Sequence, residues 1–352
     1  MASLDLTADI VSLTAAVVDI DSVSLEEKVI ADAVEAELNA LDHLEVVRDG
    51  HTIIARTQLG HAERVVLAGH LDTVPANDNT GARLTEELLF GLGACDMKGG
   101  VAVALRLAAT LPAPNRDITF VFYEAEEIAA EFNGLGRISR ERPELLVADL
   151  AILMEPSNGV VEAGCQGTLR FDILTTGERA HTARSWMGSN AIHATLPILE
   201  RLNAYVARTP VIDGLTFHEG LNAVAITGGV AGNVVPDAAR VTVNFRFAPD
   251  RSEAEAIAYV RELFEGFEVL VTDSAPGAKP GLDQPAAAAF VEAVGGVVNP
   301  KFGWTDVAQF AALGIPAVNY GPGDPLLAHK QHEHVPLAQL RGVESALRAW
   351  LT

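Results

Sequence analysis

Three short apolar runs of this sequence are each followed by histidine or carboxylate side chains. These side chains are His70 and Asp72 after residues 65–69, Glu126 and Glu127 after residues 117–123, and Glu155 after residues 150–154. Short apolar runs bounded by Gly or Pro are typical of buried strands in a parallel sheet. The carboxyl ends of such strands meet where open α/β sheets bind ligands. Because clustered carboxylates repel one another unless a cation is present, the pattern favours a metal site.

His70 and Asp72 lie two residues apart on the first of these runs. Side chains alternate along an extended segment, so both point the same way. A carboxylate beside a histidine can hold the ring in the tautomer that binds a metal ion. A single His-x-Asp is also common on surfaces and in turns. These two residues by themselves therefore do not distinguish a metal site from a surface feature.

Asp96 lies in a glycine-rich stretch, residues 91–100, just before a predicted helix that extends to about Leu111. Glycines before a helix can bind phosphate. This stretch lacks both the Walker Lys-Ser/Thr and the dinucleotide spacing, which argues against phosphate. A helix N-cap is the other local interpretation of Asp96. The acidic residues 124–127 could likewise be the solvated start of a helix.

The composition excludes several classes of function. The 352 residues carry a formal net charge of -22, which would repel nucleic acid and anionic membranes. The two cysteines, Cys95 and Cys165, form no spaced pair of the kind found in zinc-binding or disulfide motifs. Residues 1–9 lack a basic segment, so no signal peptide is predicted, and no apolar run reaches the roughly 18 residues of a membrane helix. We expect a cytoplasmic protein with no nucleic-acid or membrane partner.

The order of predicted elements indicates an α/β fold with an insertion. Residues 1–166 and 279–352 are predicted to form a domain with a mostly parallel sheet. Residues 167–278 have the order strand, helix, two strands, helix, strand, which is typical of a ferredoxin-like α+β module. Two finer predictions concern helices: a capping box at Ser24–Glu27 starts one of them, and Pro197 kinks another.

The candidates are His70, Asp72, Asp96, Glu126, Glu127, Glu155 and one of His329, His332 and His334, and they can supply a set of two histidines and three carboxylates. This set suits a pair of divalent ions, with zinc favoured by the ligand types. Two such ions can polarise a carbonyl and hold a hydroxide. Of the adjacent Glu126 and Glu127, one can bind metal while the other transfers a proton.

Five ordered motifs over nearly the whole chain resemble those of the M20 metallopeptidase family. They are His70-Leu71-Asp72-Thr73-Val74-Pro75, Gly93-Ala94-Cys95-Asp96-Met97-Lys98-Gly99-Gly100, Glu126-Glu127, Glu155-Pro156, and Ala328-His329-Lys330 with Glu333.

The resemblance implies a role for each matched residue. One ion would be bound by His70, Asp96 and Glu155, and the other by Asp96, Glu127 and His329. Glu126 would be the general base and acid, and Asp72 would orient His70. Both ions are expected to be Zn²⁺, with Co²⁺ as a substitute.

The resemblance also implies that the inserted module is a lid and dimerisation domain, and that the protein is a homodimer. His181 would cross to the partner subunit's active site and stabilise the oxyanion. Asn233, Arg246 and Thr305 would contact the substrate.

By the same resemblance, the expected substrate is a small anionic N-acyl amino acid. The resemblance implies hydrolysis of N-succinyl-LL-2,6-diaminopimelate to succinate and LL-diaminopimelate, a step of lysine biosynthesis. Residues 164–167, Gly-Cys-Gln-Gly, replace the arginines found there in some relatives, so the carboxylate must be recognised differently. The alternatives are acetylornithine or another acyl amino acid, a dipeptide, and a non-catalytic binding protein with the same fold.

Overall fold

The computed structural model describes residues 4–352, which separate into two compact units. The first unit contains the chain up to Gly164, Pro280–Asn299 and Thr305–Thr352. The second unit contains Cys165–Lys279 and Pro300–Trp304. Within the described residues, no helix is both long and apolar enough to cross a membrane.

The helices and strands have the following bounds. The α-helices are α1 (Ile10–Val18), α2 (Lys28–Asn39), α3 (Lys98–Thr110), α4 (Gly134–Glu141), α5 (Leu196–Asn203), α6 (Glu253–Leu263), α7 (Pro285–Ala293), α8 (Val307–Ala312) and α9 (Leu337–Leu351). The strands are β1 (Glu45–Asp49), β2 (Thr52–Arg56), β3 (Arg64–His70), β4 (Arg83–Leu84), β5 (Leu88–Phe90), β6 (Asp117–Tyr123), β7 (Leu150–Leu153), β8 (Val161–Ala163), β9 (Gly167–Thr176), β10 (Val211–Ile212), β11 (Leu215–Thr216), β12 (Gly220–Gly228), β13 (Ala238–Phe247), β14 (Glu268–Ala275), β15 (Val298–Pro300), β16 (Ala317–Asn319) and β17 (His334–Pro336).

The main sheet has eight strands in the order β1-β2-β6-β3-β7-β16-β8-β15. The central strands β6, β3, β7 and β16 run parallel, whereas β1, β2 and β8 pair antiparallel with their neighbours. Every residue of β6 and β7 is buried, which matches their largely apolar sequences. The predicted α/β architecture with a mostly parallel sheet is confirmed.

Helix α3 packs against β3 and begins at Lys98, with Met97 at the N-cap position. The alternative that Asp96 caps this helix is therefore wrong. The glycines at its start serve close packing, since a Cβ at Gly100 would lie 2.1 Å from the carbonyl oxygen of Met154. At Gly99 it would lie 2.7 Å from the carbonyl oxygen of Ala94. A side chain at Gly100 would push the helix away from the end of β7, and one at Gly99 would clash with the loop before the helix.

The second unit has a four-stranded antiparallel sheet in the order β12-β13-β9-β14. Along the chain its main elements are β9, α5, β12, β13, α6 and β14, which is the predicted α+β order. Alternate residues of β9 and β13, among them Phe171 and Phe245, form its core with α5 and α6. The opposite face of this sheet carries polar side chains.

Two local predictions are wrong. At Ser24–Glu27 no capping box forms, because α2 begins only at Lys28 and has no side-chain cap. The Ser24 hydroxyl instead donates a 2.7 Å hydrogen bond to Asp72 Oδ2.

Pro197 lies in the first turn of α5, preceded by a separate 3-10 helix, His193–Thr195. No kink is needed, since a first-turn residue has no intrahelical N–H bond to lose.

Candidate metal centre

The candidate ligands follow three neighbouring parallel strands. His70 is the last residue of β3, residues 124–127 follow β6, and Glu155 lies two residues beyond β7. Strand β3 pairs in parallel with both β6 and β7, so the three strand ends lie at one edge of the sheet. Asp96 comes from the loop before α3, and His329 from the segment before β17.

Asp96 lies between two histidines. His70 Nε2 is 3.2 Å from Asp96 Oδ1, and His329 Nε2 is 3.6 Å from Asp96 Oδ2. His329 Nε2 is also 3.0 Å from the Glu127 carboxylate. One ligand atom each of His70, Asp96 and Glu127 lie within 4.8 Å of one another. Imidazole and carboxylate donors at this spacing, with a carboxylate facing both rings, fit divalent ions such as zinc.

Asp72 stabilises this arrangement through hydrogen bonds. His70 Nδ1 lies 3.0 Å from the Asp72 carbonyl oxygen and 3.4 Å from its Oδ1. The Asp72 carboxylate also accepts the backbone N–H groups of Glu126 and Glu127, at 3.0 and 3.1 Å. Burial alone would raise the pKa of Asp72, but its hydrogen bonds to His70 and Ser24 outweigh burial and lower it. Burial likewise opposes a charge on His70, yet hydrogen bonds to Asp72 and Asp96 raise its pKa well above the usual value.

Glu126 lies in an unfavourable place for a negative charge. Burial raises the pKa of its carboxyl well above the usual value, and the charges of Glu155, Asp306 and Glu127 add to this, against the opposing effect of His70. Such a concentration of buried acids is costly without cations. A carboxyl with a raised pKa is also suited to exchange a proton near neutral pH.

Glu155 and Thr305 are both buried, at 5% and 3% exposure. Glu155 lies outside the compact group of three ligand atoms, although its charge reaches Glu126. The Thr305 hydroxyl donates to Asn319 Oδ1 at 3.0 Å. Its neighbour Asp306 accepts from Asn133 Nδ2 at 3.0 and 3.2 Å, and burial raises the pKa of Asp306 to about 6.

The three C-terminal histidines have different surroundings. His329 faces Glu127, and that hydrogen bond raises the pKa of His329 to about 9. His332 is exposed. The His334 ring packs on Phe90 with centroids 4.9 Å apart, and its Nδ1 lies 2.8 Å from the His332 carbonyl oxygen.

The other predicted site residues belong to the second unit. His181 and Asn233 are exposed on neighbouring loops, which are joined by a hydrogen bond from Thr182 N to the Asn233 carbonyl oxygen. His181 Nδ1 accepts from Ala183 N at 3.0 Å, so the neutral ring carries its proton on Nε2. Arg246 lies on β13, on the polar face of the sheet.

Sequence reasoning missed the roles of two buried glutamates. Glu333 Oε1 accepts from Cys95 N at 2.9 Å and Asp96 N at 3.0 Å, which fixes the loop that carries Asp96. Glu27 Oε1 accepts from Leu25 N at 2.9 Å and Ala125 N at 3.1 Å. The fifth motif contains Glu333 but gives it no role. Glu27 belongs to the segment for which a capping box was predicted, so its contact with residue 125 was not expected.

Comparison with known proteins places these motifs in a family. Residues 66–352 match the model of peptidase family M20/M25/M40. The chain is 48% identical over 360 residues to a succinyl-diaminopimelate desuccinylase of Corynebacterium glutamicum, covering 99% of this chain and 98% of the relative. It is 56% identical over 351 residues, 99% of each chain, to a Mycobacterium tuberculosis protein provisionally assigned the same name.

Solved structures share the fold at low sequence identity. A Staphylococcus aureus tripeptidase aligns with a TM-score of 0.81 at 21% identity, covering 99% of this chain and 98% of that one. A Bacillus subtilis protein described as a dinuclear metal-binding peptidase of family M20 aligns with a TM-score of 0.72 at 16% identity, covering 97% and 96%. The chain belongs to peptidase family M20/M25/M40.

Proposed function

We propose that this protein is a metal-dependent hydrolase that cleaves N-succinyl-LL-2,6-diaminopimelate to succinate and LL-diaminopimelate. The observation that carries the proposal is the placement of Asp96 between His70 and His329, in a chain 48% identical to a desuccinylase over nearly its full length. The names of the related desuccinylases support this substrate.

The residues at the strand ends would hold two divalent ions. His70, Asp96 and Glu155 would bind one, and Asp96, Glu127 and His329 the other. Bound there, the ions would polarise the amide carbonyl and lower the pKa of a water molecule.

Glu126 would transfer the proton. Its neighbour Glu127 faces His329, whereas Glu126 lies outside the compact ligand group. The raised pKa of Glu126 suits a carboxylate that accepts a proton from the attacking water and donates it to the leaving amide nitrogen. Asp72 would keep His70 oriented and hold the backbone of the Glu126–Glu127 pair.

Arg246 would bind a carboxylate of the substrate, with Arg170 beside it. In the β9–β13 register Arg246 is opposite Thr168, and Arg170 is opposite Asn244, so the two arginines lie diagonally on one face. Among the described residues, neither arginine forms an ion pair within 4.0 Å. Burial lowers the pKa of Arg246, and the charge of Arg170 lowers it further, against the opposing charges of Cys165 and Asp273. Two neighbouring guanidinium groups favour an anion, which fits a substrate with several carboxylates.

A homodimer is proposed through the second unit. Strand β12 is at the edge of its sheet, and Val224 and Ile226 on it are 58% and 51% exposed. On α5, which packs against β12, Leu196 is 58% exposed. Pairing of β12 with its copy would satisfy the open edge and cover these side chains. His181, with its proton on Nε2, would then donate to the oxyanion in the partner's site.

The test is a hydrolysis panel with purified enzyme loaded with Zn²⁺ or Co²⁺. N-succinyl-diaminopimelate should be cleaved with a far higher kcat/KM than acetylornithine or neutral dipeptides, and chelation should abolish turnover. Preference for acetylornithine would refute the substrate, and turnover that persists after complete metal removal would refute the metal-dependent mechanism.

A further inference from the structure

The turn that carries Glu126 and Glu127 has all three of its leading backbone N–H groups bound by two carboxylates. Ala125 N donates to Glu27 Oε1 at 3.1 Å. Glu126 N and Glu127 N donate to the two oxygens of Asp72, at 3.0 and 3.1 Å. The backbone of residues 125–127 is therefore held by carboxylates from two distant parts of the chain.

Ala125 needs such a restraint. Its φ is 58°, in the left-handed region that residues with a Cβ seldom adopt. Ala125 is 1% exposed, so water does not solvate its N–H group. A relaxation of φ to the usual negative region would change the directions of the following side chains, Glu126 and Glu127.

Glu27 is built into the fold for this contact. It is 1% exposed, and it lies at the N-cap of α2 without forming a side-chain bond to that helix. Its Oε1 also accepts from Leu25 N, while its Oε2 is buried with no hydrogen-bond partner. A buried carboxylate is costly, and helix capping does not account for this one.

The segment that carries Glu27 is fixed to the strand end of the site. Val23 forms a parallel bridge with Thr73, and the hydroxyl of Ser24 donates to Asp72 Oδ2 at 2.7 Å. Residues 22–27 thus connect Asp72 with the turn formed by residues 125–127. Ser22 extends the same connection by donating to the Leu71 carbonyl oxygen at 2.7 Å.

We propose that Glu27 is a positioning residue that holds Ala125 in its left-handed conformation and so aims Glu126 and Glu127. It touches neither substrate nor metal, and its effect on the reaction rests on the function proposed above. Displacement of catalytic groups by about 1 Å can cost on the order of 100-fold in rate.

The test compares Glu27→Ala, Glu27→Asp and Glu27→Gln in the metal-loaded enzyme. Alanine removes the acceptor, and aspartate keeps the charge on a side chain one methylene too short. Glutamine keeps a carbonyl oxygen for both N–H groups and places its NH₂ where Oε2 has no partner. Glu26→Ala is the matched control, because Glu26 is the exposed neighbour on the same segment.

We expect kcat to fall about 10- to 100-fold in Glu27→Ala and Glu27→Asp, with KM within about twofold. Glu27→Gln should stay within about threefold of the wild type, and the control should match it. Amide hydrogen exchange over residues 125–127 should lose protection in the first two variants and keep it in Glu27→Gln. This readout needs no turnover, so it separates failure of this inference from failure of the proposed reaction.

Unchanged kcat and exchange in Glu27→Asp would overturn the proposal. It would also be overturned if Glu27→Gln lost as much activity as Glu27→Ala, since charge rather than geometry would then matter. If Glu27→Ala does not fold, the comparison of Glu27→Asp with Glu27→Gln tests the proposal in the same way.

Discussion

The strand-end residues of the first unit and the loop residues of the second unit are held in opposite ways. In the first unit His70 and Asp72 are 1% and 0% exposed, and each forms several hydrogen bonds. In the second unit His181 and Asn233 are exposed on loops. Buried, fully bonded groups are positioned before substrate arrives, whereas exposed ones must be ordered by it. Substitutions of the buried strand-end residues should therefore act mainly on kcat, whereas the exposed residues should contribute only once they have been ordered.

The largest effect expected from the buried set is that of Glu126→Gln. Turnover should fall about 10²- to 10⁴-fold because the proton-transfer group is lost. Metal content and substrate affinity should stay unchanged, as measured by elemental analysis and binding of intact substrate. If Glu126→Gln loses metal while Glu127→Gln keeps it, the two roles are reversed.

His181→Ala tests whether the loss of an exposed side chain can also lower kcat. Loss of an oxyanion donor should lower the rate about 10²- to 10³-fold. Mixed with Glu126→Gln subunits, His181→Ala subunits should regain activity in heterodimers, because one site then has both groups. Absence of recovery despite demonstrated subunit exchange would exclude action across the interface.

His329→Ala should weaken one of the two metal sites. A direct ligand should matter at least as much as the outer-shell contacts that change metal affinity about 10- to 100-fold. Metal titration should show one tight ion per chain in place of two. His332→Ala and His334→Ala are the matched controls and should keep both ions, and the reverse result would refute the assignment of His329.

Arg246→Ala tests whether a residue of the second unit selects the substrate. Loss of a charged hydrogen bond should lower kcat/KM for succinyl-diaminopimelate about 10- to 100-fold. Activity on acetylornithine should change little, so the preference for succinyl-diaminopimelate over acetylornithine should become smaller. Arg246→Lys should also be impaired, because lysine cannot form the two parallel bonds of arginine. An equal loss for both substrates would mean that Arg246 is only structural.

The smallest effect is expected at Ser252. Its side chain caps α6 together with Glu255 in a complete capping box. Ser252→Ala should lower the free energy of unfolding by about 1 kcal/mol, measured by denaturant titration, and should leave kcat unchanged. Any large loss of kcat would show that the second unit influences the reaction through its stability.

Ser24 and Ser252 show what the sequence alone determined and what it left open. Both begin a Ser-x-x-Glu pattern, yet only Ser252 caps a helix. The sequence was sufficient for the element order of the second unit, the main strands of the first unit, the strand-end histidine and glutamates, and the family motifs. Those features depend on local periodicity and on residue types at fixed spacing.

Tertiary structure decided the rest, because it depends on partners distant in the chain. Ser24 bonds Asp72, 48 residues away, and Glu27 bonds Ala125, 98 residues away. Glu333 bonds Asp96 across 237 residues, and Gly100 is required by the backbone of Met154. A buried polar group must find a partner wherever the packed fold provides one, and no local pattern names that partner.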